Sequence, residues 1–106
     1  MTNWFDVTAA DELTPGTWKT VDVDGHLVAV FNLDGELYAI EDVCTHDGGE
    51  LTGGEVEGDC IECPRHGARF NIRTGEVLSP PAYEDLMTYP VRIEQGKVQV
   101  GDASGG

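Results

Sequence analysis

The chain has 106 residues, 20 acidic and 6 basic, and a formal net charge of −14. This length predicts one domain with one modest core, and the acidity disfavours nucleic acid and anionic membranes as partners. No run is apolar enough for a membrane span, and the N-terminus lacks the features of a signal peptide. We therefore expect a cytoplasmic protein, in which cysteines bind metals more often than they form disulfides.

Short strands joined by tight turns are predicted in the first 41 residues. Alternating or apolar runs predict strands over residues 4–7, 17–23, 27–33 and 37–40. Asp24-Gly25 and Asp34-Gly35 are strong hairpin signals. Thr8-Ala9-Ala10-Asp11 resembles a capping box and indicates one helical turn. The apolar run at 27–33 favours a central strand.

Residues 41–79 break this pattern, because they are rich in glycine and turns and contain only short predicted strands, at 59–62 and 68–72. Strand character resumes over 87–94 and 97–100, joined at Gln95-Gly96. The sequence therefore predicts an all-β fold in a single domain, residues 1–106. We expect an antiparallel base from residues 1–41 and 82–103, with a lobe of residues 42–81 inserted between its halves.

The lobe contains two short motifs that pair a cysteine with a histidine. Cys44-Thr45-His46 is followed, after sixteen residues, by Cys63-Pro64-Arg65-His66. Thiolates and neutral imidazoles are metal ligands, and two of each satisfy a tetrahedral zinc ion. The same four groups also satisfy a Rieske centre, a 2Fe–2S cluster in which histidines replace cysteines on one iron. The ligand types alone leave both possibilities open.

The residues around the ligands resemble one family. Residues 44–49, Cys-Thr-His-Asp-Gly-Gly, and residues 63–70, Cys-Pro-Arg-His-Gly-Ala-Arg-Phe, resemble the two cluster-binding loops of Rieske ferredoxins in bacterial ring-hydroxylating dioxygenase systems. The likeness continues through residues 89–93 and 97–100. It implies a Rieske-type β-sandwich base, one 2Fe–2S cluster, and four ligands that bind both metal and cofactor. These are Cys44 and Cys63 on one iron, and His46 and His66 on the other.

The resemblance also implies a function. We expect a soluble, monomeric one-electron carrier that takes electrons from a flavin-dependent ferredoxin reductase and passes them to a terminal oxygenase. Terminal oxygenases carry in addition a mononuclear iron on two histidines and a carboxylate. After the four predicted ligands only His26 remains, so that triad cannot be built and no catalytic residue is predicted. The alternatives are an accessory subunit of a larger reductase and a structural zinc-binding interaction domain.

Two further comparisons with the Rieske family concern the reduction potential. High-potential centres of respiratory cytochrome bc complexes carry hydroxyl donors where this chain has Ala68 and Phe70. They also carry a disulfide at positions matched here by Gly49 and Arg65, where none can form. The resemblance therefore implies a potential near the low end of the Rieske range, about −150 mV.

Other residues of the lobe have more than one interpretation. Strand alternation places Cys60 opposite Ile61, and we expect a thiol without a role. Arg65, between two ligands, is either an ordinary surface charge or a contact at the edge of the site. In the resembled family, the proline loop at Pro80-Pro81 shields the cluster. The lobe's acidic residues form either a solvated face or a docking surface: Asp47, Glu50, Glu55, Glu57, Asp59 and Glu62.

Overall fold

The structure is a computed structural model that describes residues 3–44, 49–65 and 67–102. These residues form eleven β-strands and one 3-10 helix, Ala10–Glu12. Among them, no helix has the length and apolarity needed to cross a membrane. The antiparallel, nearly all-β architecture confirms the predicted fold class.

The strands form three antiparallel sheets. The first sheet, in the order β1-β11-β10, consists of β1 Trp4–Ala9, β11 Lys97–Gly101 and β10 Val91–Glu94. The second, in the order β2-β3-β4-β9, consists of β2 Trp18–Val23, β3 His26–Leu33, β4 Glu36–Glu41 and β9 Thr88–Tyr89. The third, in the order β5-β6-β7-β8, consists of β5 Val56–Glu57, β6 Cys60–Glu62, β7 Arg69–Asn71 and β8 Val77–Ser79. The exact limits of base and lobe stay a prediction.

The second sheet is the central layer, and both of its faces are covered. On β3, Val28 and Val30 pack in a buried cluster with residues of the first sheet. The alternate residues Ala29 and Phe31 pack in a second cluster with residues of the third sheet and its loops. A strand that is buried on both faces carries a continuous apolar run, which confirms the prediction of a central strand at residues 27–33.

Tight turns set the register of the hairpins. Asp24-Gly25, Asp34-Gly35 and Gln95-Gly96 each have positive φ at both residues. This is the conformation of a type I′ turn, whose twist matches that of the strands it joins. The three predicted hairpins are therefore confirmed.

The predicted helical turn is present as the 3-10 helix, but two local details were wrong. The capping box at Thr8 does not form: Thr8 pairs with Val98 in the first sheet, and the 3-10 helix starts after Ala9 without a side-chain cap. Because the Thr8 backbone pairs with β11, Thr8 is not available as the N-cap of the helix. The predicted strand at 87–94 is divided at Pro90, which lacks an N–H for a sheet ladder. The chain changes there from the second sheet to the first.

Arg73, in the turn between β7 and β8, links the third sheet to β4. Its Nε lies 3.0 Å from Asp59 Oδ2, and its Nη1 donates to the Tyr38 hydroxyl at 3.0 Å. The hydrogen bond with Asp59 raises the pKa of Arg73, and the bond that Tyr38 donates to Glu36 raises the pKa of Tyr38. These groups are exposed, so the link adds little stability to the apolar contact between the layers.

Candidate metal centre

The two predicted thiol ligands lie in the same buried cluster. Cys44 is 0% exposed and Cys63 is 1% exposed, and both pack in the cluster that contains Leu51, Ile61 and Phe70. Cys63 directly follows β6, and Cys44 lies three residues beyond the end of β4. None of the three cysteines takes part in a disulfide. The fold thus brings both thiols into one apolar region between the second and third sheets.

The loops that begin at these cysteines are closed in the same way. The Cys44 N–H donates to the Gly49 carbonyl at 2.7 Å, and the Cys63 N–H donates to the Ala68 carbonyl at 2.7 Å. Each hydrogen bond spans six residues and encloses one predicted histidine ligand. The two loops therefore present a thiol at corresponding positions, as a metal held between two similar loops requires.

The imidazole half of the predicted ligand set falls outside the described residues. His46 lies in the undescribed segment 45–48, and His66 is the undescribed residue between Arg65 and Gly67. Their role as ligands stays a prediction.

The chain that follows the first loop, at Gly54 and Glu55, contacts Glu62 just before the second loop begins. A Cβ at Gly54 would lie 1.9 Å from the Glu62 carbonyl oxygen, so only glycine fits where the return passes the end of β6. The Glu62 N–H also donates to the Glu55 carbonyl at 2.9 Å. Glu62 directly precedes Cys63, and the position of the second thiol is thereby tied to the return of the first loop.

Arg65 also contacts the first loop. Its Nη1 donates to the Glu50 carbonyl at 2.9 Å, and a Cβ at Gly49 would lie 2.6 Å from its Cζ. The two positions matched to the disulfide of high-potential centres are therefore in contact through a guanidinium group. The sequence left Arg65 open between a surface charge and a contact at the edge of the site, and it did not predict this contact.

The chemistry of the described donors fits a thiolate-bound metal centre. A thiolate in apolar surroundings is costly unless a cation compensates its charge. Cys44 and Cys63 are buried together in such surroundings at the starts of two matched loops. These two thiols do not by themselves distinguish iron from zinc.

Comparison with known proteins decides the family. The model of the Rieske [2Fe-2S] domain matches residues 3–90. The chain belongs to the Rieske [2Fe-2S] family. The cofactor is accordingly one Rieske 2Fe–2S cluster, and the zinc hypothesis is set aside.

The relatives of this Rieske protein are small ferredoxins. It is 39% identical to the ferredoxin component of naphthalene 1,2-dioxygenase/salicylate 5-hydroxylase systems of Ralstonia sp, covering 92% of this chain and 94% of the relative. It is 46% identical to the biphenyl dioxygenase ferredoxin subunit of Pseudomonas sp. (strain KKS102), covering 87% and 85%. These relatives are electron-transfer components, and so is this chain, which is not an enzyme in its own right.

Solved structures agree with this assignment. The ferredoxin of Sphingomonas yanoikuyae B1 superposes with a TM-score of 0.85 at 35% identity, over 94% of this chain and 99% of that one. A chain from a complex of reduced oxygenase and oxidized ferredoxin in carbazole 1,9a-dioxygenase also gives a TM-score of 0.85, at 40% identity over 92% and 91%.

The Rieske cluster region is closed on a further side by the loop that follows Pro80-Pro81. Ala82 and Leu86 are 3% and 5% exposed and pack in the same cluster as the two cysteines. Tyr83 between them is 84% exposed. The loop therefore covers the buried hydrophobic residues that surround the two thiols, while the ring of Tyr83 is exposed to solvent.

Ala68 and Phe70 are both fully buried in that cluster. Neither side chain carries a hydroxyl, so neither donates a hydrogen bond within the Rieske site.

Two further residues lie outside the predicted ligand set. Cys60 is half-buried beside the buried Ile61, in agreement with the alternation of β6. His26 is exposed and begins β3.

Arginines pair with part of the acidic group in the lobe. Arg69 lies 3.6 Å from Glu57 and 3.5 Å from Glu62, and Arg73 pairs with Asp59. Glu50 and Glu55 are exposed, and Asp47 falls outside the described residues. Two arginines of the lobe, Arg69 and Arg73, therefore neutralise part of its acidic surface.

Asp42 is a site residue that sequence reasoning missed. It is 3% exposed, and its Oδ1 accepts hydrogen bonds from the Leu51 N–H at 2.8 Å and the Thr52 N–H at 2.9 Å. Its Oδ2 accepts from the Thr52 hydroxyl at 2.8 Å, and its own N–H donates to the Leu27 carbonyl at 2.8 Å. Asp42 therefore ties both ends of the first loop to each other and to β3. Its position two residues before Cys44 was the only signal.

We predict that Asp42→Ala destabilises the protein strongly, because one buried donor, the Leu51 N–H, and two part-buried donors of Thr52 lose their acceptor. The expected cost is about 1–3 kcal/mol, with a shift of the thermal midpoint of roughly 4–8 °C for each kcal/mol. Thermal unfolding followed by circular dichroism measures it. The control is Asp22→Ala, which removes an acceptor from the exposed turn at Gly25. Equal midpoints for the two variants would contradict the role given to Asp42.

Proposed function

We propose that this Rieske protein is the ferredoxin component of a ring-hydroxylating dioxygenase system. It carries single electrons from a flavin reductase to a terminal oxygenase, in the cytoplasm and as a monomer. The observation that carries the proposal is the identity with ferredoxin components of such systems over almost the whole length of both chains.

The proposed ligands follow from the loops. Cys44 and Cys63 would hold one iron, and His46 and His66 the other. The burial of both thiols and the matched closure of both loops support this assignment. When bound, the cluster supplies one-electron chemistry. The contribution of the chain is to hold the loops in register and, through Ala82 and Leu86, to exclude water from one side.

The proposed acceptor rests on a relative. The structurally similar chain from the carbazole 1,9a-dioxygenase system lies in a complex of oxygenase and ferredoxin. The reductase is inferred from the chemistry, because a carrier without a flavin needs a donor. The alternative of an accessory subunit in a larger reductase has less support, since the relatives are named as separate ferredoxin components. The size of the purified complex separates the two proposals.

The first test concerns the ligands. Changing Cys44, His46, Cys63 or His66 to Ala should abolish the visible absorbance of the cluster and loosen the lobe, because metal binding couples to folding. Cys60→Ala and His26→Ala are matched controls, since each removes the same side-chain type outside the proposed set and should retain the spectrum. Full retention in any one of the four variants removes that residue from the site.

A second prediction concerns docking, which the net charge of −14 motivates. Electron transfer from the reductase should slow as salt rises, because charges are screened beyond about 8 Å at 0.15 M ionic strength. The combined change Glu50→Gln and Glu55→Gln should slow the reaction and flatten its salt dependence. Stopped-flow kinetics measures both.

The control for docking is the pair Asp11→Asn and Glu12→Gln, which removes two charges from the 3-10 helix of the base. If the rate does not depend on salt, or if both pairs have the same effect, the acidity serves solubility and not docking.

A third prediction concerns the potential. A donor near sulfur offsets the negative charge that the cluster gains on reduction, so a site without hydroxyl groups at positions 68 and 70 should have a low potential. We expect about −150 mV for the parent. Ala68→Ser and Phe70→Tyr should each raise the reduction potential by tens of millivolts. For a one-electron carrier, about 59 mV corresponds to a tenfold shift in the redox equilibrium.

Protein-film voltammetry measures these potentials. Phe5→Tyr is the control, because Phe5 packs against the other core cluster, between the first and second sheets. A parent value well above zero, or no upward shift in either variant, would overturn this explanation of the low potential.

A further inference from the structure

One side chain of the second loop makes two contacts with the first. Arg65 lies two residues after Cys63, inside the ring closed by the Cys63–Ala68 hydrogen bond. Its Nη1 donates to the Glu50 carbonyl, fifteen residues away in sequence, at 2.9 Å. A hydrogen bond from a charged guanidinium is stronger than one between neutral groups. This bond therefore joins the two loops that carry the proposed ligands.

The second contact depends on the glycine at residue 49. A Cβ there would lie 2.6 Å from both Cζ and Nη2 of Arg65 and 2.9 Å from its Nε. Three guanidinium atoms at almost equal distance indicate that the planar group lies flat against the Gly49 backbone. Gly49 does not have the positive φ that requires glycine at many turns. A larger residue at position 49 would displace the flexible end of Arg65, so glycine allows this close approach.

Gly49 is also the residue that closes the first loop, since its carbonyl accepts the Cys44 N–H at 2.7 Å. The Arg65 side chain therefore rests on the closing residue of one ligand loop while its backbone lies within the other. Asp42, which precedes this loop, holds Leu51 and Thr52, the two residues after Glu50. The return segment 49–52 is thus held by Asp42 at one end and by the second loop at the other.

We propose that Arg65 is a positioning residue that clamps the first ligand loop onto the second. The proposal rests on the ligand set given above. The planar fork of arginine suits a flat contact on backbone combined with a hydrogen bond, and the compact ammonium of lysine does not reproduce it. Its charge also lies beside the site that becomes negative on reduction, so the clamp favours the reduced state as well as holding the loops together.

Three variants separate the parts of the clamp. Arg65→Gln removes the charge and the fork, and Arg65→Lys keeps only the charge. Gly49→Ala leaves Arg65 intact and displaces its flexible end from the first loop. Arg92→Gln is the matched control, because Arg92 is an exposed arginine on β10 that stacks over Trp4 in the first sheet. Each variant is compared with the parent as the cluster-containing protein.

Three measurements follow. The rate at which visible absorbance disappears in excess chelator reports how firmly the loops hold the cluster. Hydrogen exchange of the peptide covering residues 44–52, read by mass spectrometry, reports opening of the first loop. Protein-film voltammetry reports the effect of the charge on the potential.

We expect about tenfold faster cluster loss in Arg65→Gln and Gly49→Ala, faster exchange in the same peptide, and an intermediate rate in Arg65→Lys. The potential should fall in Arg65→Gln and stay near that of the parent in Arg65→Lys. Arg92→Gln should match the parent in all three measurements.

Rates for Arg65→Gln within twofold of those for Arg92→Gln, or a Gly49→Ala protein that loses its cluster no faster than the parent, would overturn the clamp. Either result leaves the spectrum of the parent intact and concerns the clamp alone. Failure of the proposed ligands would look different, because a ligand-to-alanine variant would then keep its visible spectrum.

Discussion

The burial of Cys44 and Cys63 against the central sheet is the constraint on which the rest of the site depends. A buried thiolate is stable only beside a compensating cation, so with the proposed ligands the lobe depends on its cluster. The central sheet makes it possible because β3 is buried on both faces. One face packs on the first sheet and completes the base, and the other supplies the apolar surface on which the two ligand loops rest.

Polar contacts hold the described residues of the two loops. The Cys44–Gly49 and Cys63–Ala68 hydrogen bonds close each loop, Asp42 anchors the first loop to β3, and Arg65 joins the two. The Leu51 N–H that the Asp42 carboxylate accepts is buried, and a buried donor that loses its acceptor is costly. We therefore expect these few hydrogen bonds to contribute to the stability of the lobe.

Charge has two roles in this protein. Most acidic residues give it a strongly negative field, which suits association with a basic partner surface. Within the lobe, Arg69 and Arg73 neutralise three of the carboxylates and tie neighbouring elements together. The acidic surface proposed for docking is therefore narrower than the sequence indicates. Glu50, Glu55 and the ring of Tyr83 are exposed.

The sequence by itself determined those features that depend on neighbouring residues. Three dipeptides ending in glycine fixed the hairpins because few other residues adopt positive φ, and the spacing of Cys44 and Cys63 from their histidines indicated a two-loop metal site. Only the tertiary structure decided what depends on distant partners. Thr8 entered a strand because β11 lies beside it, and the absence of a side chain at Gly49 lets Arg65, sixteen residues away, lie flat on its backbone. Local propensity does not encode such contacts, because packing between separate segments creates them.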